Sequence, residues 1–150
     1  MRKKALLIVD DHPVYRDALG EKFSSEFAKW QVPVELAAGT NEGLAILNSG
    51  TDYDWVVVLD ILLHGLSGED AIALFRTQAH VKHVVAISGL DESEWKKRAI
   101  RSGASAFISI WCDPLTRSFP ETETIITSRP ARRKTSTIVT ASTSSNPSAK

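Results

Sequence analysis

The sequence predicts an α/β protein: a parallel five-stranded sheet with helices on both faces. Three observations lead there. Short apolar runs recur up to about residue 110, and stretches with helical spacing separate them. The runs are nearly continuous rather than alternating, as expected for strands buried on both faces. At 150 residues the chain is about one ordinary domain, long enough to bury a core without disulfides or metal staples. Strands separated by helices imply parallel pairing, because each return to the sheet needs a crossover.

The first run is Ala5-Leu6-Leu7-Ile8-Val9. After Pro13, Tyr15, Leu19, Phe23 and Phe27 recur every four residues with Val14 and Ala18 beside them, which predicts one helix face. Val32 to Ala38 is the second strand candidate, and Thr40 is a candidate cap for a short helix carrying Leu44 and Leu47. Trp55-Val56-Val57-Val58-Leu59 is the clearest strand, bounded by Asp54 and Asp60. Ser67 with Asp70 three residues on resembles a capping box, opening a helix with Ala71, Leu74 and Phe75. Val84-Val85-Ala86-Ile87 is the fourth strand. Asp91 and Glu94 repeat the capping pattern, Gly103 stands where a helix-terminating glycine belongs, and Ala106-Phe107-Ile108 is a fifth strand.

After Cys112 the character changes. Asp113-Pro114 would start a fifth helix, but Pro120 interrupts it within two turns. From Ser128 to Lys150, 10 of 23 residues are Ser or Thr. Such a segment buries too little surface to offset its ordering entropy and reads as disordered. The expected division is a domain over 1–112 and a degenerate fifth-helix region with a Ser/Thr-rich tail over 113–150.

Formal net charge is zero, so global electrostatics favour neither nucleic acid nor membrane as a partner. The balance hides a split: residues 1–112 carry 12 Lys/Arg and 15 Asp/Glu, and the remaining 38 carry 6 and 3. Arg132-Arg133-Lys134 is read as a solvated stretch of the tail, with polyanion contact as the alternative. The single cysteine, Cys112, excludes an intrachain disulfide and a Cys-based metal cluster. The apolar run near the N-terminus is too short for a signal peptide or a membrane span, so the expected location is cytoplasmic.

Chemistry enters at the strand ends. Ligands of parallel α/β sheets bind beyond the carboxyl ends of the strands. Strand one ends in Asp10-Asp11, strand three in Asp60, and strand four in Ser88-Gly89. If these strands are neighbours, three carboxylates and a hydroxyl meet at one rim. Packed like charges are costly unless a cation joins them, and Mg2+ takes carboxylates together with waters and phosphate oxygens. An Asp beside such an ion is a competent nucleophile toward phosphorus. Taken singly, Asp10-Asp11 reads as a solvated turn and Ser88-Gly89 as a tight turn; the register of all three strand ends carries the sharper reading.

Several motifs then match one family in order. Ile8-Val9-Asp10-Asp11-His12-Pro13 resembles the opening of response-regulator receivers, particularly those preceding a helix-turn-helix output domain. Val58-Leu59-Asp60 with Gly65 and Gly68 resembles the phosphoacceptor strand and loop, and Ala86-Ile87-Ser88-Gly89 the switch-hydroxyl strand. Gly103 to Ser109 is similar to the approach to strand five. The resemblance covers roughly residues 3–112. It implies a flavodoxin-like, doubly wound sheet of order 2-1-3-4-5. It also implies phosphorylation on Asp60, with Asp10, Asp11, Asp60 and the backbone carbonyl of Leu62 as Mg2+ ligands. Ser88 and Phe107 would be the switch residues. The implied partner is a sensor histidine kinase or a small phosphodonor, and the implied role is a phosphorelay rather than catalysis on an external substrate.

Two departures stand out. Ile110 occupies the position of the family lysine that pairs with the phosphoacceptor, and His64 stands where a proline is common, which is expected to alter loop rigidity. A lost charge-assisted contact is worth about 1.5–3 kcal/mol, so slower phosphorylation and a blunted switch are expected. Losing the lysine and the helical pattern together reads as a frame shift or truncation; a nucleotide sequence restoring the pattern in another frame tests it. Two other readings stand beside the receiver. One is a pseudo-receiver that docks partners independently of phosphorylation. The other is an aspartate-nucleophile phosphatase, disfavoured because Leu62 stands where a second Asp is usual. No G-x-G-x-x-G follows the first strand, which disfavours a dinucleotide oxidoreductase. His12, His80 and His83 are read as structural, and Lys96-Lys97-Arg98 as a solvated helix face. Nothing after residue 112 has the pattern of a DNA-binding module. A sheet face without its fifth helix would invite a homodimer.

Overall fold

In a computed structural model, residues 1–89 and 92–110 are described. The elements follow as β1 (Lys3–Val9), α1 (Pro13–Phe27), a short 3-10 turn (Ala28–Trp30), β2 (Val34–Ala37), α2 (Thr40–Ser49) and β3 (Tyr53–Asp60). Then come α3 (Gly68–Arg76), β4 (Val81–Ser88), α4 (Glu92–Arg101) and β5 (Ala106–Ser109). All strands pair in parallel in the order β2-β1-β3-β4-β5, the expected doubly wound topology. Asp91 of the second capping pattern, Cys112, and the expected fifth-helix region and tail lie outside the described residues.

The continuous apolar runs are explained by two cores, one on each sheet face. Ala5, Leu7 and Val9 of β1, Val57 and Leu59 of β3, and Val84 and Ala86 of β4 share one core with Leu47, Ala71, Ile72, Phe75 and Phe107. Leu6, Ile8, Val58, Val85 and Ile87 face the other way, with Leu19 and Phe23 of α1. Side chains alternate across a strand, so a strand covered on both sides needs apolar residues at every position.

Helix α1 departs from the expected face. Leu19 and Phe23 are buried and Phe27 stacks on Phe23, but Tyr15 and Val14 are exposed. The strict four-residue spacing drifts off a 3.6-residue helix, so a repeat centred on Leu19 and Phe23 leaves the first turn off the buried face. Gly20 lies directly over Leu36; a Cβ there would stand 2.9 Å from its side chain, so β2 and α1 approach closely because position 20 has none. Thr40 is the first residue of α2 rather than its cap; Gly39 precedes it, and the Glu42 carboxylate accepts the Ala38 N–H at 2.7 Å.

The other two helix boundaries follow the expected chemistry. The Ser67 hydroxyl accepts the Asp70 N–H at 3.2 Å and donates to the Asp70 carboxylate at 2.6 Å. Removing such a cap costs about 1 kcal/mol. Ser67→Ala is therefore expected to lower the unfolding free energy by that amount, read as a lower urea midpoint at unchanged slope, and a slope change would mean that more than the cap was lost. Helix α4 ends in a Schellman turn: Gly103 has φ of +107°, its N–H reaches Ile100, and the Ala104 N–H reaches back to the Ala99 carbonyl. This turn delivers the chain into β5.

Candidate functional site

The register places the acidic strand ends together. Val9 of β1 pairs with Leu59 of β3, so Asp10 and Asp60 leave adjacent strands at the same edge. Asp60 is in turn level with Ile87 of β4, one residue before Ser88. Asp10, Asp11 and Asp60 each offer a carboxylate oxygen, and these lie within 4.8 Å of one another. Asp10 is 4% exposed and Ser88 2%, the buried polar residues in an otherwise apolar interior.

Backbone donors orient the carboxylates. The His12 N–H donates to Asp10 Oδ1 at 2.8 Å, and the Leu62 N–H to Asp60 Oδ1 at 2.9 Å. Each is a tight local loop closed by the residue two positions on, which fixes the side chain beyond its strand. Burial pushes the Asp60 carboxyl up to about 6; the Leu62 N–H opposes this, while Asp10 and Asp11 add to it by like-charge repulsion. Burial also raises Asp10, partly offset by the His12 N–H. Burial acts the same way on Asp11, but the hydrogen bonds from the His64 side chain and backbone outweigh it and hold this carboxyl below its usual value. Crowded oxygens held against their preferred ionisation, with hard donors only, form a donor set that suits a divalent cation.

Of the expected site residues, Asp10, Asp11, Asp60 and Ser88 converge at one edge. Leu62 is joined to Asp60 through its N–H, and its side chain is exposed. Phe107 points inward, 8% exposed, in the core with Ala99 and Ala104. The Ile110 N–H donates to the Ser88 carbonyl at 2.8 Å, so the β4–β5 ladder continues past Ser109 and holds residue 110 at the site's edge. Its side chain packs with Ile108 against the α1-side core. Ser109, paired with Ser88 across the strands, has a buried hydroxyl with no partner among the described residues.

Three features were not read from the sequence. His64 does more than alter its loop: its N–H donates to Asp11 Oδ2 at 2.9 Å and its Nδ1 contacts the same oxygen. The two residues are 53 positions apart, and only the sheet order brings them together. Arg16, one turn into α1, donates to the Asp10 carbonyl at 3.1 Å. Its position five residues after the acidic pair, on the helix leaving the site, was the available signal. Finally, Arg98 is not part of a purely solvated face. It holds Glu69 of α3 with two 2.8 Å bonds and lies 4.3 Å over the Trp95 ring, whereas Lys96 and Lys97 are exposed. The hydrogen bond to Glu69 raises Arg98 and lowers Glu69 from their ordinary values. Among the described residues, no helix is long and apolar enough to cross a membrane.

Comparison with known proteins agrees with the fold and shows the family. The family model for the response regulator receiver domain matches residues 6–114. The glycerol metabolism activator of Pseudomonas putida is 28% identical over 104 residues, which are 69% of this chain and 46% of that protein. The chain thus spans about half the length of that relative. The chemotaxis protein CheY of Halobacterium salinarum is 25% identical over 107 residues, 71% of this chain and 83% of that protein. The receiver domain of NtrX from Brucella abortus superposes with a TM-score of 0.60 at 31% identity, covering 75% of this chain and 88% of that one.

Proposed function

The chain belongs to the response regulator receiver domain family of two-component signalling, and from that premise we propose that it accepts a phosphoryl group on Asp60. The donor is a sensor histidine kinase or a small phosphodonor, and the role is relay of a signal, not turnover of an external substrate. The observation that carries this reading is the convergence of Asp10, Asp11 and Asp60 with the Asp60 carboxyl raised to about 6.

In the proposed step an Asp60 carboxylate oxygen attacks phosphorus, the new O–P bond forms, and the bond from phosphorus to the donor's leaving atom breaks. Asp60 is held for this by the Leu62 N–H on its Oδ1, which leaves its second oxygen to react. Mg2+ held by Asp10, Asp11, Asp60 and the Leu62 carbonyl would neutralise charge on the carboxylates and the transferring oxygens. The Ser88 hydroxyl, at the neighbouring strand end, is the proposed donor to a phosphoryl oxygen. Phe107 is the proposed aromatic that responds to it from β5.

Incubation with acetyl phosphate and Mg2+, followed by intact-mass measurement, tests the proposal. One phosphoryl adduct is expected on the chain and none on Asp60→Asn. A folded protein that gains no adduct would overturn it. The second reading, a docking module that works without phosphorylation, is favoured by Ile110 at the lysine position. Under that reading a partner's affinity survives Asp60→Asn unchanged. How the proposed signal leaves the domain, including any dimer, belongs to the whole protein.

A further inference from the structure

We propose that Ser109 is a positioning residue for the switch hydroxyl: its O–H donates to Ser88 Oγ once Ser88 turns its own proton to a phosphoryl oxygen on Asp60. The inference rests on the reading of Asp60 as the phosphoacceptor.

Strand register puts the two hydroxyls side by side. Ser88 of β4 and Ser109 of β5 are paired residues of one parallel ladder. Side chains alternate across a strand, and Ile87 and Ile108 pack in the α1-side core while Ala86 and Phe107 pack in the other. Ser88 and Ser109 therefore leave the sheet on the same face as Ala86 and Phe107, at the edge where the carboxylates converge. The Ile110 N–H on the Ser88 carbonyl, at 2.8 Å, keeps the two strands in register to this edge. Neighbouring strands run about 4.8 Å apart, so hydroxyls turned toward each other across the gap meet at about hydrogen-bond length.

The second observation is the state of Ser109 itself. Its oxygen is buried, yet it has no hydrogen-bond partner among the described residues. A buried hydroxyl without a partner opposes folding, and alanine or valine would fill the same place on a strand without that penalty. An unspent donor beside a switch hydroxyl has a use if the other state of the switch employs it. Serine has one proton and two lone pairs. When Ser88 commits its proton to a phosphoryl oxygen it is left with acceptor capacity only, and Ser109 has the donor that matches. Rotation about one side-chain bond is enough to bring the Ser109 O–H round, and the backbone stays in the ladder. The chain from Ser109 O–H to Ser88 O–H to phosphoryl oxygen runs in one direction, which strengthens each link. Ser109 thus contributes no hydrogen bond to the unphosphorylated state and favours the phosphorylated one.

The test uses the full chain with Mg2+ and beryllofluoride, a phosphoryl mimic that binds an aspartate reversibly, and reads affinity by calorimetry. Ser109→Ala is expected to weaken beryllofluoride binding about tenfold, the share of one hydrogen bond to a hydroxyl engaged with an anion. Ser109→Thr should keep the affinity, whereas Ser109→Val, which has threonine's shape without the hydroxyl, should lose it as Ser109→Ala does. In a Ser88→Ala background Ser109→Ala should cost nothing further, because it acts through Ser88. The melting temperature without beryllofluoride should stay level or rise in Ser109→Ala, whereas removing a serine that merely holds the fold would lower it. Affinity within twofold of wild type, an equal loss in the Ser88→Ala background, or a lowered melting temperature without beryllofluoride would each overturn the role of Ser109 and leave Asp60 as the acceptor. No binding to the wild type, or binding that survives Asp60→Asn, would overturn the phosphoacceptor reading and this inference with it.

Discussion

Asp60→Asn is expected to raise the thermal stability of the metal-free protein while abolishing its phosphorylation. The folded state moves the Asp60 carboxyl from 3.8 to about 6. Above pH 6 the chain must therefore fold around a carboxylate that ionises more readily when unfolded, and this opposes folding. Below pH 4 both states are protonated and the penalty vanishes. The sign follows: this group makes the wild type more stable as pH falls from 7 toward 4, the reverse of a salt-bridged acid. The full difference corresponds to about 3 kcal/mol, and sharing of the repulsion with Asp10 and Asp11 brings the expected gain to about 1–3 kcal/mol. Melting curves at pH 5 and 7 check it. Asparagine should gain most at pH 7 and only about half as much at pH 5, and Mg2+ should raise the wild-type midpoint far more than that of the variant. A variant less stable than wild type at pH 7 would show that Asp60 makes a stabilising contact outweighing its repulsion.

Ile110→Lys is expected to accelerate phosphorylation about ten- to hundredfold, the range of 1.5–3 kcal/mol from one charge-assisted contact. The position is held by the Ile110 N–H on the Ser88 carbonyl, level with the acidic edge. The present side chain is half-buried with Ile108 against the α1-side core. A lysine stem would cover much of the same surface while its ammonium reached past the strand end. There it would lower the Asp60 carboxyl toward its ordinary value and, during transfer, meet a phosphoryl oxygen. The two effects are coupled, so the pH dependence of stability should weaken in the same variant. The initial rate of adduct formation at fixed acetyl phosphate measures the first effect. A rate within twofold of wild type would mean that a cation elsewhere already fills the role, with Arg16 the first candidate.

The fold was legible because its strands are covered on both faces. Leu6, Leu7, Ile8 and Val9 all had to be apolar, because both faces of β1 are covered. The acidic trio was legible for a related reason: the chemistry sits where strands stop, and a strand's end is visible in its composition. Tyr15 misled because a four-residue repeat tracks a helix face only briefly before drifting off it. Thr40 misled because the helix already begins at that residue, with Gly39 before it at the cap position and Glu42 holding the Ala38 N–H. The contacts of His64 with Asp11 and of Arg98 with Glu69 join residues far apart in the chain, and no local pattern encodes such pairs. They depend on which strands and helices end up side by side.

The strand order also has a consequence for synthesis. Chains grow from the N-terminus, and domains generally fold as units during that growth. The sheet's centre and one edge, β2-β1-β3, are encoded entirely by residues 3–60, as are the helices α1 and α2 that flank these strands on opposite faces. Asp10, Asp11 and Asp60 fall within the same span. By the time the last of these acids leaves the ribosome, every carboxylate of the cluster and both strands that carry them, β1 and β3, have been made, together with β2. What emerges later from β4 and β5 adds Ser88, Phe107 and Ile110. The nascent chain therefore carries its acidic cluster before the parts expected to report on it.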